Sequence, residues 1–238
     1  MNSTAPQIGF DRFVRLDWVA AALEVRAGIA SLEGLKVLLD AAGLGKEAKA
    51  KTVTKLNALI LQPRSDLAGF ACRGIGIFKQ SPEASFAALP WGMAIAAYPF
   101  FGKVAEFTGR LTSIQGDCSS LEIHRRMSEI FGDREMTKRA TQATLQTQAN
   151  WGAFERVEKG KRLIRRVPIR LNNDQAVAWL VEAALRYTGR AISVPTLQSM
   201  AVIYPFVLDQ PLAYLISNSP NMEIRSEGPS NQFVSLLQ

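Results

Sequence analysis

The residues with the clearest chemistry lie in one short stretch of the chain, ERVEKGKRLIRR at residues 155–166, which we call the basic hairpin. It holds six cationic side chains around a single Lys-Gly turn: Arg156, Lys159, Lys161, Arg162, Arg165 and Arg166. Unpaired cations at this density repel one another, whereas beside a nucleic acid they neutralise phosphates and release counterions. We therefore expect this stretch to bind the phosphates of a polyanion.

A second group of polar side chains precedes the basic hairpin at helical spacing. Arg139, Gln142 and Gln146 are three and four residues apart, so they share one face of a helix. Arginine and glutamine match the hydrogen-bonding edges of guanine and adenine in the major groove. Leu145 falls between this face and an opposite face of core type, which consists of Met136, Ala140, Thr144 and Thr147. The pattern predicts a recognition helix.

The elements that would position this helix form a recognisable series. A helical pattern over 103–115 is followed by SSLE at 119–122, which is a capping box that begins a second helix. Gly132 ends that helix, and a third one is predicted over 134–150. Two short helices joined by a tight glycine turn are typical of a helix-turn-helix.

The basic hairpin comes directly after the predicted recognition helix. Segments 153–158 and 161–169 have strand character and are joined at Lys159-Gly160. A helix, a helix-turn-helix and then a basic two-stranded wing is the order of a winged helix-turn-helix, which we expect over 102–170. We expect the chain as a whole to be mainly α, with these segments: a helical N-terminal region (1–101), the winged helix-turn-helix (102–170), a helical C-terminal segment (171–217) and a flexible tail (218–238).

The charge distribution favours the same middle segment. The net charge is +7 over 238 residues, and counting Lys and Arg against Asp and Glu gives +3 for 1–101, +6 for 102–170 and −2 for 171–238. A localised basic surplus indicates a polyanion partner more specifically than a high isoelectric point does. The residues predicted to contact double-stranded DNA are Arg125, Arg126, Arg134, Lys138, Arg139, Gln142, Gln146, Arg156, Lys159, Lys161, Arg162, Arg165 and Arg166.

Residue types that support catalysis or metal binding are sparse. His124 is the only histidine, and Cys72 and Cys118 are the only cysteines, so no zinc set can be assembled. GIGIF at 74–78 lacks the third glycine of a dinucleotide fingerprint, there is no phosphate-binding P-loop, and no paired carboxylates suit metal-dependent nuclease chemistry. We expect no enzymatic activity, no cofactor and no bound metal.

The same sequence features predict a cytoplasmic protein without membrane contact. Two cysteines in different segments suit a reducing compartment, and the N-terminus lacks the pattern of a secretory signal. The uncharged stretches at 84–102 and 191–208 each contain two prolines and are rich in Ala, Ser or Gln, which favours broken buried helices over membrane spans.

Three segments resemble the small BrxA subunit of bacterial BREX phage-defence systems: AKTVTKLNALILQP (50–63), AYPFFGKVAEFTGRL (97–111) and TLQTQANWGAFERV (144–157). The resemblance covers residues 45–170 and rests on pattern rather than on an invariant motif. It implies a non-catalytic, cytoplasmic, DNA-binding accessory protein that works beside the larger subunits of a defence complex.

Two other functions fit the same pattern. Exposed hairpins carry Lys and Arg for solubility, and many winged helices contact proteins, so the chain is also interpretable as a protein-interaction scaffold. A sequence-specific transcriptional repressor is the third hypothesis, and it would normally require a symmetric dimer.

Overall fold

The computed structural model describes residues 7–227 and 231–237, and these residues are mainly helical, as the sequence predicts. The chain begins with helices that pack around α1 and α6. They are α1 (Leu16–Ala27), α2 (Leu32–Ala41), α3 (Lys46–Leu56), α4 (Ala68–Gln80), α5 (Pro82–Ser85) and α6 (Ala88–Ala97). Residues 1–6 of the predicted N-terminal region lie outside the described residues.

Local sequence signals explain where these helices begin and end. The Ser31 side chain accepts a hydrogen bond from the backbone N–H of Gly34 at 3.2 Å, which caps α2. Helix α3 continues as a wider π-helical turn at Asn57–Leu61 and stops at Gln62, because the residue before Pro63 avoids the α conformation.

The middle of the chain forms six elements in one series, which we call the central unit. They are α7 (Pro99–Gln115), β1 (Asp117–Ser119), α8 (Ser120–Phe131), α9 (Glu135–Asn150), β2 (Phe154–Val157) and β3 (Arg162–Arg165). The three strands make one antiparallel sheet in the order β1-β3-β2. Leu163 pairs with Cys118 on one side and with Arg156 on the other. Strand β1 was not expected from the sequence; it adds a third strand to the predicted two-stranded wing.

The predicted boundary between residues 101 and 102 falls inside α7, which is continuous from Pro99 to Gln115. Side chains from before and after this point belong to one hydrophobic core. Phe101 packs edge-on against Trp91 on α6 and lies beside Trp151 at the end of α9. The N-terminal helices and the central unit are therefore packed together along α7.

The C-terminal part combines helices with two small sheets. Its elements are β4 (Ile169–Arg170), α10 (Asp174–Thr188), β5 (Ile192–Ser193), α11 (Val194–Gln198), β6 (Phe206–Val207), α12 (Leu212–Ser217), β7 (Met222–Ser226) and β8 (Gln232–Leu236). Strands β4 and β6 are parallel, and β5-β8-β7 is antiparallel.

The segment at 218–238 was expected to be a flexible tail, but part of it forms paired strands. Residues 222–226 and 232–236 pair as a hairpin, and Met222 and Val234 are buried. The hairpin is stabilised by packing these apolar side chains and by the pairing of β8 with β5, in which Ser193 lies opposite Phe233. Residues 228–230 and 238 of the predicted tail lie outside the described residues.

Within the described residues, no helix combines the length and the apolar character that crossing a membrane requires. The uncharged stretch at 84–102 contains α6 and the start of α7, with a break at Tyr98-Pro99. Trp91 in α6 is fully buried and donates from Nε1 to the carbonyl oxygen of Val202 at 2.9 Å.

Candidate nucleic-acid interface

Helix α9 buries one face against α7 and α8. The buried residues are Thr137, Ala140, Thr141, Thr144, Leu145, Thr147 and Gln148. Several of these threonine hydroxyls donate to the carbonyl four residues earlier, Thr141 to Thr137 at 2.8 Å for example, so their burial leaves no unpaired donor. Leu145 thus belongs to the core face, while Met136 is 61% exposed, so assigning Met136 to the core was wrong.

The outer face of α9 carries the predicted recognition residues. Arg139, Gln142 and Gln146 line one shallow, open hollow, together with Lys138 and with His124 from α8. The structure therefore brings the three predicted side chains together and adds a histidine that the sequence reasoning did not assign to this face. The only signal in the sequence for this placement was that His124 lies on the helix before the turn at Gly132.

The two cations at the start of α9 are paired with nearby carboxylates. Arg139 Nε lies 2.7 Å from Glu135 Oε1, and Lys138 Nζ lies 2.9 Å from Asp133 Oδ1. Both pairs are exposed, and exposed pairs of this kind contribute about 0–1 kcal/mol. Either cation can therefore exchange its carboxylate for a phosphate.

His124 is half-buried at the edge of this hollow. Burial lowers the pKa of His124, Gln142 opposes this effect through its side chain, and the charge of Lys138 adds to the lowering. The imidazole is therefore biased towards its neutral form, which can both donate and accept a hydrogen bond.

The two arginines predicted on α8 have carboxylate partners on their own helix. Arg125 pairs with Glu122 at 2.7 Å and with Glu129, and Arg126 pairs with Glu122 at 2.7 Å and lies over the Phe107 ring. These guanidinium groups lower the pKa of Glu122 to about 2. Neither arginine lines the hollow on α9.

Arg134 lies apart from the hollow as well. It lines a separate open groove together with Lys55, Asp11 and the backbone of Gly9, where Lys55 pairs with Asp11 at 3.0 Å. Arg134 is thus the predicted DNA-contacting residue that lies nearest to the N-terminal segment and α3.

The structure corrects the expectation that all six cations of the basic hairpin are unpaired. Arg162 donates to Asp117 on β1, from Nε at 2.9 Å. Arg165 donates from Nη2 to the Tyr204 carbonyl at 2.7 Å and lies over the Tyr204 ring. The cause is the third strand and the C-terminal segment, which supply partners far along the chain.

Arg156 is folded back onto the turn of its own hairpin. Its guanidinium is so close to Gly160 that a Cβ at this glycine would lie 2.3 Å from Nη2. Burial lowers the pKa of Arg156. This side chain is only partly exposed and lies against the turn, so it is less accessible to an external phosphate than the lysines of the hairpin.

Three cations of the hairpin remain displayed. Lys159, Lys161 and Arg166 are exposed and form no ion pair with any of the residues that the structure describes. Glu158, Lys159 and Gly160 all have positive φ, so the loop is tightly curled and holds Lys159 at its tip. The displayed charge of the basic hairpin is thus concentrated at its turn and just after β3.

Groups suited to covalent or metal chemistry do not gather near this surface. Burial raises the pKa of Cys118 to about 12, so its thiol is not activated as a nucleophile. Among the described residues, no three His, Cys, Asp or Glu side chains are grouped closely enough to hold a metal ion.

Comparison with known proteins identifies no relative: no protein-family model matches the chain, and no curated protein or solved structure matches it significantly.

Proposed function

We propose that the central unit is a winged helix that binds duplex DNA, with α9 in the major groove and the basic hairpin against the flanking backbone. The observation that carries this proposal is the order α7-β1-α8-α9-β2-β3, in which a basic hairpin follows a helix whose outer face displays Lys138, Arg139, Gln142 and Gln146. A helix of this width fits the major groove, and an adjacent hairpin reaches the phosphates beside it.

The distribution of charge supports a binding mode dominated by phosphates. Five cations are placed for such contacts on α9 and the hairpin: Lys138, Arg139, Lys159, Lys161 and Arg166. Only Arg139, Gln142 and Gln146 are available for base edges, so we expect little sequence preference.

In this proposal the protein is a non-catalytic, cytoplasmic accessory protein. The resemblance of residues 45–170 to BrxA supports a role for this protein in a bacterial phage-defence system, beside larger subunits. DNA binding by the central unit does not depend on that placement and can be tested alone.

A salt series on the full chain tests the proposal. Electrophoretic mobility shifts or fluorescence anisotropy with a labelled duplex should give a log–log slope of about −4 to −5, since each of five phosphate contacts contributes about −0.9. An affinity that barely changes between low and moderate salt would contradict it.

A protein-interaction scaffold is the second candidate, and exposed apolar side chains favour it. Ile114, Leu121 and Val167 are strongly exposed around the sheet of the central unit. A pull-down with and without nuclease separates the two functions, because partners of a scaffold remain after nuclease treatment and partners bridged by DNA are lost. A sequence-specific repressor would instead show one preferred duplex and a dimer in solution.

A further inference from the structure

An open cavity of about 430 Å³ lies between α4 and α10, in a part of the fold that the proposed DNA interface does not include. Small residues create the space: Gly76 on α4 and Ala178 on α10 both line it. A Cβ built on Gly76 would meet no atom within 4 Å. Residues 218–221, after α12, line the cavity as well. Its volume is in the range of small-molecule sites.

The inner wall of the cavity is apolar and rigid. Ile77, Trp179 and Leu215 line it. The Trp179 ring stacks on Phe70 at 4.2 Å, and its Nε1 donates to the Phe70 carbonyl at 2.9 Å. The indole is therefore fixed in place, and the wall that it forms does not need to rearrange around a ligand.

Glu182 also lines the cavity, and only one of its two carboxylate oxygens has donors. The residue is 2% exposed. Its Oε1 accepts hydrogen bonds from Arg73 Nη2 at 2.6 Å and from Arg186 Nε and Nη2 at 3.0 and 2.8 Å. Its Oε2 receives none from the described residues. This oxygen is not one of the side-chain atoms sealed from solvent without a partner, so it is accessible from the open cavity and can accept a hydrogen bond from a ligand there.

The charges around the cavity balance. Arg73 and Arg186 offset Glu182 and Asp174, so neither a cation nor an anion gains from entering. The Arg73 guanidinium, a donor, and Glu182 Oε2, an acceptor, are side by side at one end. An uncharged group with a neighbouring acceptor and donor complements this pair.

We propose that this cavity binds a small, uncharged, amphipathic molecule that carries an amide-type group. The N–H of the ligand donates to Glu182 Oε2, its carbonyl accepts from Arg73, and its apolar body lies along the wall beside Gly76. Gln80 and Gln175 line the cavity about 10 Å further along the two helices, where they can meet a second polar group.

Three probes with the same ring test this proposal on the full chain: benzamide, benzoate and benzylammonium. Ligand-observed NMR titrations should give a dissociation constant for benzamide at least about tenfold lower than for either charged probe, the effect of one hydrogen bond to a charged group. Gly76→Leu should weaken benzamide binding at least tenfold by filling the space, whereas the same substitution at an exposed glycine outside the cavity, Gly34→Leu on α2, should leave it unchanged.

Several outcomes would overturn the proposal. They are absence of benzamide binding up to about 10 mM, equal affinity for all three probes, and undiminished binding by Gly76→Leu. If circular dichroism shows that Gly76→Leu is unfolded, Ala178→Met fills the cavity from the opposite helix, and the same criterion applies to it.

Discussion

Arg162 on β3 donates from Nε to Oδ2 of Asp117 at 2.9 Å, so one cation in the middle of the basic hairpin is paired with a carboxylate on β1, the strand that precedes α8 and α9. Arg162 is half-exposed and Asp117 is partly exposed, so the pair remains accessible to solvent. The carboxylate therefore competes with any phosphate that approaches this guanidinium.

Removing the charge of Asp117 should strengthen DNA binding. Asp117→Asn releases Arg162 and removes a negative charge that would lie near the DNA phosphates. We therefore expect about two- to fivefold higher affinity for DNA at low salt, which corresponds to the free energy of one exposed ion pair. Anisotropy titrations measure it. The matched control is Glu33→Gln, which removes a carboxylate from the exposed pair with Lys36 on α2 and should change nothing. Equal effects of both variants would show that net charge alone is responsible.

The outer face of α9 should distinguish base readout from phosphate binding. If the protein reads sequence, Arg139→Ala and Gln142→Ala should each weaken binding to the preferred duplex by about 1–3 kcal/mol and have little effect on an unrelated duplex. We expect instead similar, smaller losses on both duplexes for Arg139→Ala, because three side chains offer few base contacts. Competition titrations with two unrelated duplexes decide between these outcomes, and a strong duplex-dependent loss would contradict the expectation of weak specificity.

His124 should make DNA binding depend on pH. Its pKa in the free protein is below the usual 6.5 because of burial, so its folded form disfavours the proton. Nearby phosphates favour the protonated form, so binding should take up a proton and strengthen by about two- to fivefold from about pH 7.5 to about pH 5.5. His124→Gln should abolish this dependence; an unchanged pH profile in that variant would exclude His124 as its source.

The lowered pKa of His124 also makes the stability of the free protein depend on pH. A histidine with a lowered folded pKa contributes stability that is present above the unfolded value of about 6.5 and is lost as the pH falls towards the folded pKa. The unfolding free energy of the wild type minus that of His124→Gln, measured by denaturation without DNA, should therefore decrease as the pH is lowered below about 6.5; a difference that is constant with pH would contradict this.

Close packing of α7 against the C-terminal segment should make one glycine indispensable. A Cβ at Gly109 would lie 2.3 Å from the Ala201 carbonyl oxygen, a backbone atom that cannot rotate away. We expect Gly109→Ala to lower the free energy of unfolding by about 2–3 kcal/mol. The control Gly76→Ala, in open space on α4, should be neutral or raise it by about 0.5–1 kcal/mol. Urea denaturation compares them, and equal stabilities would contradict the packing described for α7.

Features set by neighbouring residues could be predicted from the sequence. Helix α8 ends before Gly132, whose φ of 87° suits glycine, and Ser119 caps α8, although it accepts from the Leu121 amide at 3.1 Å rather than from the Glu122 amide that the capping box predicts. The expected reciprocal contact of Glu122 does not form, because its carboxylate pairs with Arg125 and Arg126 instead.

Features set by distant residues could not be predicted. Arg165 meets Tyr204 across 39 positions, Arg73 meets Glu182 across 109, and the C-terminal hairpin pairs with β5. Composition and periodicity describe a segment and its neighbours, whereas these contacts depend on which elements the fold brings together. For this reason the sequence overestimated the number of displayed cations on the hairpin.

The central claim is that displayed cations of the basic hairpin hold the DNA backbone, and the most direct measurement compares salt slopes of two triple variants. Replacing Lys159, Lys161 and Arg166 by Ala should weaken binding similarly on every duplex and make the log–log slope shallower by about three units. The control removes three cations outside the central unit, Lys36, Lys79 and Arg225, and should keep the wild-type slope. An unchanged affinity and slope in the hairpin variant would contradict the claim.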